Sequence, residues 1–292
     1  IKANIIYASS GPLTICLPAI VIKYIQNIPI YFEVRDLWPE APIQLKAINN
    51  KTLQYIAYKL EKLAYLNSKL IIGLSPGMVK GIMRVNNSKN VIMIPNFCNN
   101  EKLIRNSFVK RQKLKVIYFG TVGLANNINY IVDALNHLIG IKDIVIDIYG
   151  EGKKLDEITK RLRCINTDII NIYKPFKKSE LSNILKQYDI SLIIFKNNPV
   201  LGTCSPNKLF DSISVGLPFI VNVKGWMSEM ALRDNVGFYV DGDKPYQLAN
   251  LLKFLISNRI LLEEKGLNAK RLALKEFDKN KLITKLLSHM NQ

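Results

Sequence analysis

The stretch Lys115-Val116-Ile117-Tyr118-Phe119-Gly120-Thr121-Val122-Gly123 is an apolar run of strand length that closes on two glycines, and an amphipathic segment opens after it near Asn129. A short run rich in Val, Ile, Tyr and Phe reads as a buried strand. The glycines read as a sharp strand-to-helix turn, where backbone N–H groups can come close to an anion. Working outward toward the C-terminus, the same grammar predicts strands over 144–149, 169–172, 190–195, 219–223 and 237–240. The helices between them are expected over 129–139, 153–164, 179–186, 206–215 and 246–257, with a last helical stretch over 259–289. Toward the N-terminus, strands are expected over 4–8, 30–34, 70–74 and 91–94, with helices over 13–24 and 51–67. Strands alternating with helices specify an α/β protein with parallel sheets.

The chain has 292 residues, enough for about two domains of roughly 150 residues each. A seam falls between Asn99 and Lys115, where Asn-Asn is followed by a basic stretch before a fresh strand opens. The expected division is a first domain over 1–108, a second over 109–278, and a C-terminal helix over 279–292 that packs back on the first.

Composition narrows the function classes. At 48% hydrophobic and 22% charged, without low-complexity tracts, the sequence buries a sizeable core. The longest apolar stretch, 12–22, ends at Lys23 and falls short of the ~20 residues of a spanning helix. Cys16, Cys98, Cys164 and Cys204 show no Cys-x-x-Cys spacing, and His137 and His289 are far apart, so neither a zinc site nor a disulfide framework is expected. A reducing compartment fits. The net charge of +18 calls for an acidic partner or for simple solvation. It is spread thinly, without the Arg–aromatic interleaving of a nucleic-acid surface, which leaves anionic lipid and phosphorylated substrates as candidates.

In open parallel sheets ligands bind beyond the carboxyl ends of the strands. Three such loops carry phosphate-binding grammar: Gly120 to Gly123, Gly150-Glu151-Gly152, and Ser205-Pro206-Asn207-Lys208-Leu209-Phe210-Asp211. In the last, Ser205 is placed to cap a helix, Pro206 suits its first turn, and Gly216-Leu217-Pro218 ends it. Lys208 and Asp211 are three apart, on one helical face. A diphosphate fits against the helix start and Lys208, and a ribose diol against Asp211. The plainer alternative is a capped surface helix with a Lys–Asp pair worth tenths of a kcal/mol.

A family resemblance joins these pieces. Phe119 to Ala125, Tyr149 to Gly152, and Ser205 to Asp211 through Pro218 resemble the donor half of family 4 glycosyltransferases. Glu33-Val34-Arg35-Asp36-Leu37-Trp38-Pro39-Glu40, with Leu74 to Met78 and Ile94-Pro95-Asn96, resembles the N-terminal domain of the same group. The likeness is nearest to the branch that builds bacterial capsule and O-antigen repeat units, fucosaminyltransferase-like members included. It runs nearly the whole chain, in order.

The resemblance implies a GT-B fold of two Rossmann-like, doubly wound domains with parallel sheets. It also implies sugar transfer with retention and without a metal or other cofactor, from a UDP-sugar donor held mainly by the second domain. An N-acetylated amino sugar moving to a polyprenyl-diphosphate-linked glycan, at the cytoplasmic face of an anionic membrane and with no nucleic-acid partner, is the expected reaction. By position, Lys208 holds the diphosphate, Gly120 and Gly123 meet the phosphates through backbone donors, Gly150 lies on the second phosphate loop, Ser205, Pro206 and Asn207 open the donor helix, Asp211 takes the ribose, and Lys174 to Phe176 lies at the base. Arg35 and Asp36 stand where relatives carry His-Asp, which makes them, with Lys208, the catalytic candidates: Arg35 in place of the histidine near the donor sugar and Asp36 on the acceptor side, or else an Arg–Asp pair that orders the loop beside Trp38.

The sequence departs from the family pattern at several points. Relatives pair two glutamates eight positions apart, where this chain has Thr203 and Asp211. Relatives carry Arg and Lys after the first glycine of the second domain, where this chain has Thr121 and Asn126. Ile1 aligns with the middle of the family's first domain, so that domain is expected to be incomplete. An inactive donor-binding remnant is therefore the second hypothesis. A sugar-nucleotide epimerase is a third, and two distant histidines argue against its acid–base chemistry.

Overall fold

The computed structural model describes residues 3–85, 90–98, 111–165 and 168–291. It contains two compact units: Ile1–Asn96 with Val200–Ser205 and Asn280–Gln292, and Phe97–Pro199 with Pro206–Lys279. The expected boundary at 108/109 lies outside the described residues. Phe97 and Cys98 already belong to the second unit, and the short 200–205 segment belongs to the first.

The first unit is built on four parallel strands, β1 (Ile6–Ser10), β2 (Ile30–Val34), β3 (Ser68–Gly73) and β4 (Val91–Met93), in the order β1-β2-β3-β4. β1 starts two residues later than the 4–8 expected from its apolar run. The pairing Ile6↔Ile30 through Ser10↔Val34 draws Ser9 and Ser10 into the strand, and the buried Ser10 hydroxyl accepts the Arg35 N–H at 3.0 Å. The helices are α1 (Cys16–Gln26), α2 (Glu40–Gln44), α3 (Lys51–Asn67) and α4 (Pro76–Val85). Asn50 caps α3 by accepting the N–H groups of Thr52 and Leu53. The C-terminal helix, Lys279–Met290, docks Leu282 into a cluster with Tyr31, Leu70, Ile72 and Ile94, and Tyr31 Oη donates to Met290 O at 2.9 Å.

Two helices of this unit carry large apolar side chains on their outer sides. Lys23 of α1 turns inward and donates to Asn67 O at 2.8 Å, while Leu17, Val21, Tyr24 and Ile25 face out, the last 77% exposed. On α3 Glu61 is buried, whereas Ile56, Leu63 and Leu66 are exposed among Lys59 and Lys62. An ordinary surface helix keeps its outer side polar.

The second unit holds six parallel strands: β5 (Leu114–Phe119), β6 (Ile144–Tyr149), β7 (Ile170–Tyr173), β8 (Ile190–Ile193), β9 (Phe219–Val221) and β10 (Gly237–Tyr239). Their order, β10-β9-β8-β5-β6-β7, is the doubly wound 3-2-1-4-5-6 pattern, with its reversal where β5 pairs with β8. Around them run α5 (Ile128–Leu135), α6 (Leu155–Ile165), α7 (Leu181–Leu185), α8 (Asn207–Ser214), α9 (Trp226–Arg233), α10 (Pro245–Ser257) and α11 (Ile260–Glu276), ahead of the C-terminal helix, α12 (Lys279–Met290). Val116, Tyr118, Ile146, Leu192 and Ile220 from the strands and Ile131 from α5 share one core.

Buried polar groups tie the strand ends. Asn222 makes both of its side-chain bonds to Phe195, accepting its N–H at 2.8 Å and donating to its carbonyl at 2.7 Å. It thereby continues the β8–β9 ladder past the end of β9. At the start of β8, buried Asp189 accepts from Arg111 at 2.8 Å, Arg259 at 3.1 Å and the Lys115 N–H at 2.9 Å. The helix expected over 259–289 is two helices. They part at Phe277, which packs on Phe210 with ring centres 5.1 Å apart and accepts the Cys98 N–H at 2.7 Å. Among the described residues no helix is long and apolar enough to cross a membrane.

Candidate functional site

The strand-order reversal is where a doubly wound sheet opens a crevice at its carboxyl edge. β5 leaves its sheet through Gly120, whose φ of +116° suits glycine. The next loop presses on it from behind. A Cβ on Gly150 would lie 2.5 Å from Gly120 O, and one on Gly152, at φ +149°, would lie 2.3 Å from Val122 O. The glycines of the second loop are thus required by backbone-to-backbone packing. Gly120 N–H donates to Tyr149 O at 2.9 Å, and Gly150 N–H to Tyr173 O at 3.2 Å. These two amides extend the ladder, so the Gly120 N–H, expected to meet a phosphate, is already bonded to a protein carbonyl; among the described residues the N–H groups of Thr121 and Gly123 have no protein acceptor.

α8 brings the cation. Its N-cap is Pro206 in extended conformation, with φ −76° and ψ 135°, and no side chain caps it. The expected Ser205 cap does not form, because Ser205 lies one residue too early and the proline fills the cap position. The Ser205 hydroxyl is buried without a hydrogen-bond partner. The first amides of α8, from Asn207 onward, therefore lack the usual side-chain acceptor.

Lys208 Nζ lies 3.1 Å from Tyr118 Oη, 3.4 Å from Asn126 Oδ1, 4.2 Å from the Tyr118 ring centre and 5.8 Å from that of Phe195. A Cβ on Gly120 would be 3.6 Å from the same nitrogen. Among the described residues no carboxylate pairs with Lys208. Desolvation brings its pKa down to about 7. The Lys208–Asp211 pair allowed by their spacing is not made. Burial raises the Asp211 pKa to about 6 against the opposing pull of Lys178, and its carboxylate accepts no hydrogen bond among the described residues. Phe176 packs 6.0 Å from Phe119 and edge-on to Tyr149 at 5.2 Å, and Tyr149 stacks on Tyr173 at 4.7 Å.

Among solved structures, HepE of Anabaena in complex with UDP and glucose matches at a TM-score of 0.79 and 14% identity, over 99% of this chain and 78% of that one. Sucrose-phosphate synthase from Thermosynechococcus elongatus matches at 0.80 and 13%, over 99% and 73%. The pneumococcal O-GlcNAc transferase GtfA, in complex with UDP and GlcNAc, matches at 0.67 and 15%, over 98% and 56%. No protein-family model matches the sequence, and a search of curated proteins finds no match. The likeness is one of fold: the chain has the GT-B fold.

Within this GT-B fold, Gly120, Gly123, Gly150, Phe176, Pro206, Asn207, Lys208 and Asp211 all belong to the second unit, and Arg35, Asp36 and Ser205 to the first. Arg35 and Asp36 follow β2, both exposed, and form no ion pair with each other among the described residues. Desolvation raises the Asp36 pKa while Arg35 pulls it down. Thr203, which stands where the resemblance places a carboxylate, donates its hydroxyl to Val200 O at 2.7 Å. Sequence reasoning missed Tyr118, Phe195 and the partnership of Asn126 with Lys208. The one available signal was position, since all three lie at or just past the ends of β5 and β8.

Proposed function

We propose that this protein is a retaining family 4 glycosyltransferase that moves a sugar from a UDP-sugar to a lipid-linked glycan acceptor. The observation that carries the reading is Lys208, an ammonium without a carboxylate partner, set beside an uncapped helix start and a glycine turn at the reversal of the strand order. A diphosphate supplies the missing charge. In this reading Lys208 and the Thr121 and Gly123 amides take the diphosphate, Asp211 accepts from the ribose diol, and Phe176 with Tyr149 flanks the base. Negative charge grows on the diphosphate as the bond to the anomeric carbon breaks, and these donors, rather than a metal ion, stabilise it. The UDP bound to HepE and GtfA supports the donor class, and the GlcNAc bound to GtfA supports an N-acetylated amino sugar. Arg35 and Asp36 are assigned to the sugar and acceptor side.

The acceptor we propose is polyprenyl-diphosphate-linked, used in surface-polysaccharide assembly at the cytoplasmic face of the cell membrane. The outward apolar side chains of α1 and α3, set among Lys59 and Lys62, support contact with an anionic bilayer, where such faces insert and their lysines meet lipid headgroups.

Calorimetric titration with UDP and UDP-GlcNAc, followed by an assay of donor turnover, tests the assignment. Wild-type protein binds both and the Lys208→Ala variant binds them about 30- to 100-fold more weakly; equal binding by the two proteins rejects the site. Binding without transfer or hydrolysis leaves the inactive-remnant reading in place.

A further inference from the structure

A site that sets Lys208 against a diphosphate depends on where that ammonium is held. Lysine carries its charge on a flexible four-carbon stem, so an untethered Lys208 would lose much of its value to the site through lost rotamer freedom on binding. The structure provides a tether. Tyr118, the penultimate residue of β5, is fully buried and donates its one hydroxyl proton to Thr121 O at 2.7 Å. With that proton committed, only the lone pairs of Oη remain to face Lys208 Nζ, 3.1 Å away. Asn126 Oδ1 and the rings of Tyr118 and Phe195 complete the surroundings of the ammonium. Every one of these groups is neutral. They attract the cation and leave its charge uncancelled for a ligand.

Tyr118 also touches the phosphate loop, through the carbonyl of the same Thr121 whose amide is free. One hydroxyl therefore holds both the loop and the lysine. We propose that Tyr118 is a positioning residue, which joins the Gly120–Gly123 turn and Lys208 into one preformed anion receptor. Asn126 is the weaker second arm of that tether. The proposal rests on the donor-site reading for its purpose, and its geometry stands without it.

The test replaces Tyr118→Phe, which keeps the ring and removes the hydroxyl, and Asn126→Ala. Affinity for UDP and for inorganic pyrophosphate falls about tenfold in Tyr118→Phe and about threefold in Asn126→Ala, consistent with the loss of charge-assisted hydrogen bonds. Affinity for uridine, which has no phosphate, stays within about twofold in both. In ligand-free protein, competitive acylation read by mass spectrometry follows the pH profile of Lys208 alone. Removing an oxygen that accepts from the ammonium shifts that profile to lower pH in Tyr118→Phe, with the other lysines unmoved. Equal losses for UDP and uridine, or an unchanged Lys208 profile, overturn the proposal and make Tyr118 a packing residue. A shifted profile in a protein that binds no UDP keeps the tether and rejects the donor site.

Discussion

In the first unit the strands lie side by side in chain order, β1-β2-β3-β4, whereas in the second the order turns back on itself between β5 and β8. The groups that lack protein partners follow that difference. At the reversal of the second unit sit Lys208 without a carboxylate, Asp211 without a donor, and the open amides of Thr121 and Gly123. In the first unit the polar groups at the strand ends are largely spent on each other: Glu33 accepts from Tyr7 and Ser9, and Ser10 from the Arg35 amide. What the first unit leaves open is instead the apolar outer side of α1 and α3. A strand-order reversal makes room for a ligand because neighbouring connections diverge there, and a sheet in chain order makes no such room.

The largest effect expected from breaking this comparison comes from the glycine turns. Gly152→Ala sets a methyl 2.3 Å from Val122 O at a φ of +149°, against backbone atoms of Val122 and no flexible side-chain end. A loss of about 3 kcal/mol or more in unfolding free energy is expected. Gly11, just past β1, meets nothing within 4 Å. Gly11→Ala is expected to stay within about 0.5 kcal/mol, and paired denaturant melts of the two variants measure the contrast.

Donor binding comes next. Lys208→Ala removes the cation placed at the proposed diphosphate site and is expected to weaken UDP binding by about 30- to 100-fold. Arg35→Ala in the first unit is expected to change UDP affinity less than about threefold, since the second unit carries the nucleotide contacts in this reading. A larger loss in Arg35→Ala would move part of the nucleotide site into the first unit.

Much of this architecture was legible because strand and helix periods survive in the sequence. β2, β6 and α3 run over the residues their apolar patterns predict, 30–34, 144–149 and 51–67. Elements held by tertiary partners were not legible. α2, α4 and α9 are short helices whose limits depend on packing, such as the approach of Gly81 on α4 to Leu37. The break at Phe277 follows from an aromatic contact and a Cys98 bond that lie far away in sequence. In the site, the sequence marked Lys208 and the glycines, because a charge at a helix start and a turn residue are local signals. Tyr118 reads from sequence as one more core strand residue, and only the fold brings its hydroxyl to the lysine.

Glu61 gives the first unit a pH response of opposite sign to that of Lys208 in the second. Its pKa is raised from 4.5 to about 7 by burial, a hydrogen bond from Tyr65 opposing the shift and the charge of Glu40 adding to it. Between those values the folded state binds more protons than the unfolded chain, so the contribution is full below pH 4.5 and is lost as pH rises through about 7. Lys208, lowered from 10.5 to about 7, makes the folded state the poorer proton binder over that range, so its contribution to stability rises from pH 7 upward. Glu61→Gln is expected to remove about 1–3 kcal/mol of the decline between pH 4.5 and 7 in urea melts, and Lys208→Met to flatten the rise above it. A Glu61→Gln profile that still falls as in the wild type would place the titrating group elsewhere.

UDP affinity itself should show a narrow optimum. Asp211 must be ionised to accept from a ribose, and its pKa is about 6; Lys208 must be protonated to meet a diphosphate, and its pKa is about 7. Binding favours the ionised form of each, so affinity falls by up to about tenfold per pH unit on either side of that window until the pKa values of the complex are reached. The acid limb also contains the protonation of the terminal phosphate of UDP, whose pKa is near ~6, so the alkaline limb is the cleaner measure. Calorimetry from pH 7 to 9 should show the fall in the wild type and a flat line in Lys208→Ala. Asp36→Asn, in the unit whose described strands run in chain order, should leave both limbs in place, and loss of either limb there would give Asp36 a part in nucleotide binding.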